Sequence, residues 1–113
     1  MQMLDLNALQ QPTWPVKLRD DEQTVVNLTT PDVELVDRLM ASAPGLREAA
    51  STKDGRAVRK IYDLLADVMN CNEDGFIFTG EELQARYNLR LLDVYRIIAG
   101  YMEFIKEINE AKN

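Results

Sequence analysis

The chain predicts a mainly α fold with a short N-terminal β-hairpin, an α+β arrangement closing into a small helical bundle of about four helices. Three observations carry that reading. Apolar and polar residues alternate with period two only near the start, apolar residues recur every three or four positions in the later segments, and no repeat or low-complexity stretch divides the chain. With 113 residues, 46% of them apolar, there is enough material for one compact core and too little for two ordinary domains.

Residues 1–12 are polar with scattered leucines and end in Pro12, so they read as a flexible N-terminal arm ahead of a single domain over 13–113. In "TWPVKLRDDEQTVVNLTTPD", Val16 and Leu18 alternate with Lys17 and Arg19, and Val26 and Leu28 flank Asn27. "DDEQ" supplies the turn of a hairpin over residues 14–28 with one apolar face, and Trp14 at its start covers the core. Thr30, Pro31, Asp32 and Glu34 combine a capping hydroxyl, a proline at the first helical position and acids near the positive end of the helix dipole. They predict a helix over about 31–43 with Val33, Val36, Leu39, Met40 and Ala43 on its apolar face, stopped by Pro44 and Gly45.

"LREAASTKDG" reads as a short helical turn or loop. Val58, Ile61, Tyr62, Leu65, Val68 and Met69 mark one face of a helix over about 56–70. A short helix over about 80–87 and a long one over about 90–110 complete the set. In the last, Asp93, Arg96, Gly100, Glu103 and Glu107 form one narrow polar stripe, and almost everything else is aliphatic or aromatic. A helix apolar over more than half its circumference must be covered on several sides, as the central element of the bundle or by another chain. Tyr95, Tyr101, Met102, Phe104, Ile105 and Ile108 are therefore the candidate partner-binding residues.

Composition narrows the chemistry. There is no histidine and one cysteine, Cys71, which removes zinc ligand sets, Ser-His-Asp and Cys-His catalysis and any intramolecular disulfide. Cys71 reads as a small apolar filler. Asp63 and Asp67 could serve carboxylate chemistry, but beside Arg59 and Lys60 on a polar helix face they read as solvated charges, so no catalytic residue and no cofactor is expected. The net charge of −6 disfavours nucleic acid and anionic lipid. No run approaches a membrane span and the start lacks the order of a signal peptide, which predicts a cytoplasmic protein.

Two motifs compete for the connector. "NCNEDGFIFTGEEL" places Asn70, Asn72, Asp74, Gly75 and Glu81 on EF-hand positions, but Asn70 stands where Asp is the rule and Phe78 takes the ninth position. The same letters describe a turn through Gly75 followed by a capping box of Thr79 and Glu82, so no metal is expected. "TGEELQARYNLRLLDVYRII" resembles a helix-turn-helix. The groove-facing residues would be Leu91, Leu92 and Asp93, and residues 79–113 hold six acids against five bases, which argues against DNA.

Taken in order, "LDLNAL", "WPVKLRDDEQTVVNLTTP", "PDVELVDRLM", "RKIYDLLADVMNCN" and "GEELQARYNLRLLDVYRIIAGYMEFIKEI" resemble the small tail assembly chaperones of long-tailed phages and prophages over most of residues 4–108. The most telling pieces are "VVNLTTPDVELVDRLM", where a strand passes directly into a proline-started helix, and the aromatic end "YMEFIKEI". The resemblance implies a mostly helical, non-enzymatic protein of the bacterial host cytoplasm. Its partners would be the tape measure protein and the tail tube protein, with a homo-oligomer also open. A helix-turn-helix DNA-binding regulator using residues 79–98 and a structural head-tail connector subunit are the alternatives.

Members of that family are often made in two lengths by a ribosomal slip of one nucleotide, and Ala111, Lys112 and Asn113 can be encoded as GCA AAA AAC or GCA AAA AAU. If the gene uses either run and the minus-one frame stays open, expression from native DNA yields a minor longer band that recoding Lys112 to AAG reduces. A codon 111 that does not end in A, a codon 112 of AAG, or an early stop in the shifted frame removes the expectation.

Overall fold

The computed structural model describes residues 3, 12–46, 48 and 54–111, so most of the predicted arm and the greater part of "LREAASTKDG" lie outside the described residues. The hairpin forms where alternation places it. Strand β1 (Trp14–Lys17) pairs antiparallel with β2 (Val25–Leu28), Trp14 opposite Leu28 and Lys17 opposite Val25. The Leu18 N–H donates to the Thr24 carbonyl (2.8 Å), the Thr24 N–H donates to the Asp20 carboxylate (2.8 Å), and Gln23 takes a φ of 52° to let the chain reverse. Leu18, Val26 and Leu28 are buried, while Lys17 and Val25 face solvent.

Antiparallel pairing turns the backbone of alternate residues away from the partner strand. On β2 and just beyond it these groups meet the loop after the second helix. The Thr29 N–H donates to the Cys71 carbonyl (2.7 Å), the Glu73 N–H to the Asn27 carbonyl (3.2 Å) and the Asn27 N–H to the Asp74 carboxylate (2.7 Å). Residues 71–74 thus act as an irregular third strand. On the outer side of β1 stands Pro15, opposite Asn27 in the register, and a residue without an N–H there blunts the edge against further pairing.

Four α-helices with defined bounds follow among the described residues. Helix α1 (Val33–Ser42) begins two residues later than the sequence predicts. Its cap is the Asp32 carboxylate, which accepts from the Leu35 N–H at 2.8 Å, rather than the Thr30 hydroxyl, and Pro31 sits before the cap. Aspartate is among the strongest caps, so it takes the position when both are offered. A 3₁₀ turn (Ala43–Gly45) follows, and Leu46 and Glu48 beyond it are also helical. Helix α2 (Gly55–Met69) is capped by Asp54, whose carboxylate accepts from the Arg56 N–H at 3.0 Å. Helix α3 (Gly80–Ala85) starts at Thr79, whose hydroxyl accepts from the Glu82 N–H at 3.1 Å. It stops short of the predicted residue 87 because the Tyr87 ring is buried in the core and Asn88 swings to a φ of 51°. Helix α4 (Leu91–Ala111) is the longest.

The centre of the bundle is α2, not α4. It packs against α1, β2, α3 and α4, and buries Ile61, Tyr62, Leu64, Leu65, Ala66, Val68 and Met69. Two tyrosines tie this core to neighbouring backbone. The Tyr62 hydroxyl donates to the Leu89 carbonyl and the Tyr101 hydroxyl to the Thr29 carbonyl, each at 2.6 Å. Helix α4 lies against α2 on one side and β1 on the other. One of its contacts with the hairpin is the Trp14 indole, seated where Gly100 has no side chain. A Cβ built on Gly100 would stand 2.6 Å from Trp14 Cη2 and 2.7 Å from Cζ2.

That seat reverses an ordinary expectation. Glycine to alanine inside a helix normally stabilises by about 1 kcal/mol. Here Gly100→Ala is expected to destabilise by about 1–3 kcal/mol through overpacking against the indole. In a Trp14→Ala background the same change should raise the melting temperature, because the obstacle is gone. Urea denaturation of the two single variants and the double variant checks the sign.

Candidate partner-binding surface

Helix α4 has three kinds of apolar position. Val94, Ile98 and Tyr101 are fully buried. Tyr95, Met102, Phe104 and Ile105 are half-buried against the core, Ile108 is half-buried near the helix end, and Leu92 is 58% exposed. Tyr101 was expected at a partner surface, and its position corrects that. The ring is enclosed beside Trp14 (centroids 6.5 Å apart) and Phe104 (6.1 Å), its hydroxyl is bonded to Thr29, and burial pushes its phenol far above the ordinary range. It is a core residue.

The remaining five do not form one patch. Phe104 stacks on Tyr101. Met102 and Ile105 line a small open groove whose other wall is Val36, Leu39 and Met40 of α1. Tyr95 lies seven residues before Met102, on the same helix face about 10 Å along the axis. Ile108 continues the apolar side one turn beyond Ile105.

The α1 wall is what the sequence reading missed. It grouped Val33, Val36, Leu39, Met40 and Ala43 as one apolar face. In the structure Leu35 and Leu39, four residues apart, are the buried pair, while Val33 is 77% and Met40 63% exposed. Two apolar stripes lie side by side on α1, and only one of them faces the core. The signal was present in the sequence, since Leu35 belongs to no stripe containing Val33 and Val36.

The EF-hand-like loop has a different geometry from a cation site. Asn72 Oδ1 accepts from the N–H groups of Asp74 and Phe76, both at 3.0 Å, and its Nδ2 donates to the carbonyls of Met69 (2.8 Å) and Phe76 (2.9 Å). Asn70 Oδ1 accepts from the Phe78 N–H at 2.6 Å, and its Nδ2 donates to the Phe78 carbonyl at 3.0 Å. Asp74 is turned onto β2 through Asn27, and Gly75 takes a φ of 81° to close the turn. Phe78 is buried, with the Phe76 and Tyr87 rings each 5.7 Å away. The side-chain polar atoms of Asn70 and Asn72 are thus aimed at backbone, and one Asp74 oxygen at the Asn27 N–H.

At the start of α4, the helix-turn-helix-like segment carries an ion pair. Arg19 of the hairpin reaches the Asp93 carboxylate with two donors at 3.0 and 3.1 Å, and the Arg90 N–H donates to the same carboxylate at 2.9 Å. The Arg19 guanidinium holds the Asp93 carboxyl below the usual range, with burial opposing it. Asp67 pairs with Arg38 at 2.7 Å. Cys71 is half-buried, its thiol donates to the Asp67 carbonyl at 3.5 Å, and burial raises its pKa, which disfavours the nucleophilic thiolate. Among the described residues no helix is long and apolar enough to cross a membrane. No protein-family model, curated protein or solved structure matches the chain.

The loop geometry makes a prediction about calcium. Asp74→Ala removes the acceptor of the Asn27 N–H, so it should lower stability by about 1 kcal/mol in calcium-free buffer. Millimolar calcium should leave the melting temperature of both proteins unchanged, with magnesium and sodium at matched ionic strength as controls. A calcium-dependent rise that the variant lacks would mean that the loop binds the ion, because a ligand of the folded state stabilises it.

Proposed function

We propose that this chain is a tail assembly chaperone of the kind found in long-tailed phages and prophages, a non-enzymatic protein that binds the tape measure protein while tail tube subunits assemble around it. One observation carries the reading: the apolar seam between α1 and α4, with Val33 and Met40 exposed and Val36, Met102 and Ile105 half-buried beside them. A tape measure protein is a long chain whose apolar helical stripes would self-associate in water. A chaperone with a seam of this kind covers such a stripe, and its net charge of −6 keeps the complex dispersed. The order of elements that resembles this family adds support, as does the absence of histidine for acid-base chemistry.

A second reading has one observation in its favour, the turn through Asn88 that joins α3 to α4 as in a helix-turn-helix regulator. The exposed Leu92 and the ion-paired Asp93 at the start of α4 weigh against contact with phosphates or base edges. A head-tail connector subunit, the third possibility, would remain in the finished particle.

Co-expression with the long helical protein encoded near its gene tests the proposal. The two should co-purify, and Met40→Asp or Ile105→Asp should reduce capture about ten-fold or more while the circular dichroism of the free variant stays native. The chain should be absent from purified particles by mass spectrometry. Failure to co-purify, or retention in the particle, overturns the reading.

A further inference from the structure

We infer that residues 4–11 lie as a strap along the last turns of α4, with Leu6 and Leu9 against Phe104 and Ile108. The hairpin sets the direction. Strand β1 runs antiparallel to α4: just past its end the Arg19 guanidinium is bonded to the Asp93 carboxylate, Val16 and Leu18 line a cleft shared with Ile97, and at its start the Trp14 indole sits on Gly100. The chain that precedes Trp14 is therefore handed toward the turns of α4 beyond Gly100. Asp93, Ile97 and Gly100, four and three residues apart, form one stripe of the helix, and the same stripe continues through Phe104 and Ile108. The hairpin covers its first part. Phe104, stacked on Tyr101, and Ile108 are only half-buried, and they stand in line with the chain entering β1. Met102 and Ile105 are turned elsewhere, into the groove with Val36 and Met40 of α1.

Length and composition fit the same path. Leu9 stands five residues before Trp14, about 16 Å of extended chain, and Leu6 eight residues before it, about 26 Å. Ile108 is eight residues beyond Gly100, about 12 Å along the helix, so both leucines reach it with slack for a sideways step. Between Met3 and Pro12 the chain offers Leu4, Leu6, Ala8 and Leu9 and a single charged side chain, Asp5. Met3 is 90% exposed, so the strap ends short of it. Tethering decides the occupant. A segment joined to its site through a short linker acts at an effective concentration of about a millimolar, so it takes this stripe ahead of a second copy present at micromolar levels. The inference stands apart from the client reading, because the occupant is part of this chain. A strapped α4 leaves Met102 and Ile105, on the α1 side, as the accessible part of the candidate surface.

The test is nuclear magnetic resonance on the full, isotopically labelled chain. The methyl groups of Leu6 and Leu9 should show nuclear Overhauser contacts with the Phe104 ring and the Ile108 methyls. Replacing both leucines, Leu6→Gln with Leu9→Gln, should abolish those contacts and speed amide exchange at residues 107–110 about five-fold or more, with exchange at Val94 and Ile98 unchanged. Ile108→Gln, made from the helix side, should likewise remove the contacts of Leu9. Signals of the core residues Leu65 and Val68 should stay in place in both variants, since every substituted position lies outside the buried core.

Absence of contacts between the leucines and the last turns of α4, contacts only with Val33 or Met40 of α1, or exchange at residues 107–110 that ignores the double substitution overturns the inference. So does a contact that appears only between chains in a mixed sample of labelled and unlabelled protein, since the occupant is then a second copy.

Discussion

Everything in this molecule is arranged around the need to cover α2. Seven of its residues are buried, with Leu65, Val68 and Met69 at no exposure, and they do not lie on one narrow stripe. A helix buried on several sides needs neighbours on several sides, and the remaining segments supply them: α1, β2, α3 and α4 each take a share. The cost falls on the covering helices. Once α1 has given Leu35 and Leu39 to α2, nothing in the described chain is left to cover its second stripe. The exposed Val33 and Met40 follow from the size of the chain as much as from their own chemistry.

Short elements alone would not hold such a core, and side chains complete what regular backbone pairing does not. The hairpin is two strands of four residues, marginal by itself in water. It is fastened to the helical layer at four points: the indole on Gly100, the Tyr101 hydroxyl on the Thr29 carbonyl, the Arg19 guanidinium on the Asp93 carboxylate, and the loop 71–74 along β2. Within that loop Asn70 and Asn72 present both an acceptor and donors to nearby backbone, as short amides do in turns. Buried polar side-chain atoms without a partner are absent among the described residues, so these bonds leave no desolvation debt in the core.

The legible parts of the sequence were those governed by local rules. Alternation at Val16, Leu18, Val26 and Leu28 placed the hairpin, and the spacing from Val58 to Met69 placed α2. Thr79 capped α3 as its neighbours implied. The parts that failed required knowledge of a neighbour. Periodicity says that α1 and α4 have wide apolar arcs, but which part of an arc is inward depends on where α2 lies, and so Leu35 was overlooked and Tyr101 was assigned outward. Gly100 looked like a member of the polar stripe, because only the indole of a residue far away in sequence reveals why a side chain is excluded there. The calcium-like letters misled for a related reason. Asn and Asp at alternate positions, with a glycine between turns, serve equally to ligate an ion or to satisfy turn backbone, and the direction of each amide is a tertiary fact.

The candidate surface joins two properties that usually oppose one another. Exposed apolar side chains promote association without discrimination, and a high density of like charge resists it. The first belongs to the stripe of Val33, Val36 and Met40 and the second to the net charge of −6, while the charges that border the strip are of both signs, Asp37 on α1 and, one residue from Ile105 and four from Met102, Lys106 on α4. The groove itself is small, lined by five side chains of α1 and α4. On the chaperone reading proposed above, affinity at one groove is modest and tight association with a long helical client comes from many copies bound along it. An assembly factor that must be displaced later is better served by that arrangement than by one large interface, since each copy leaves independently at the rate of its own weak contact.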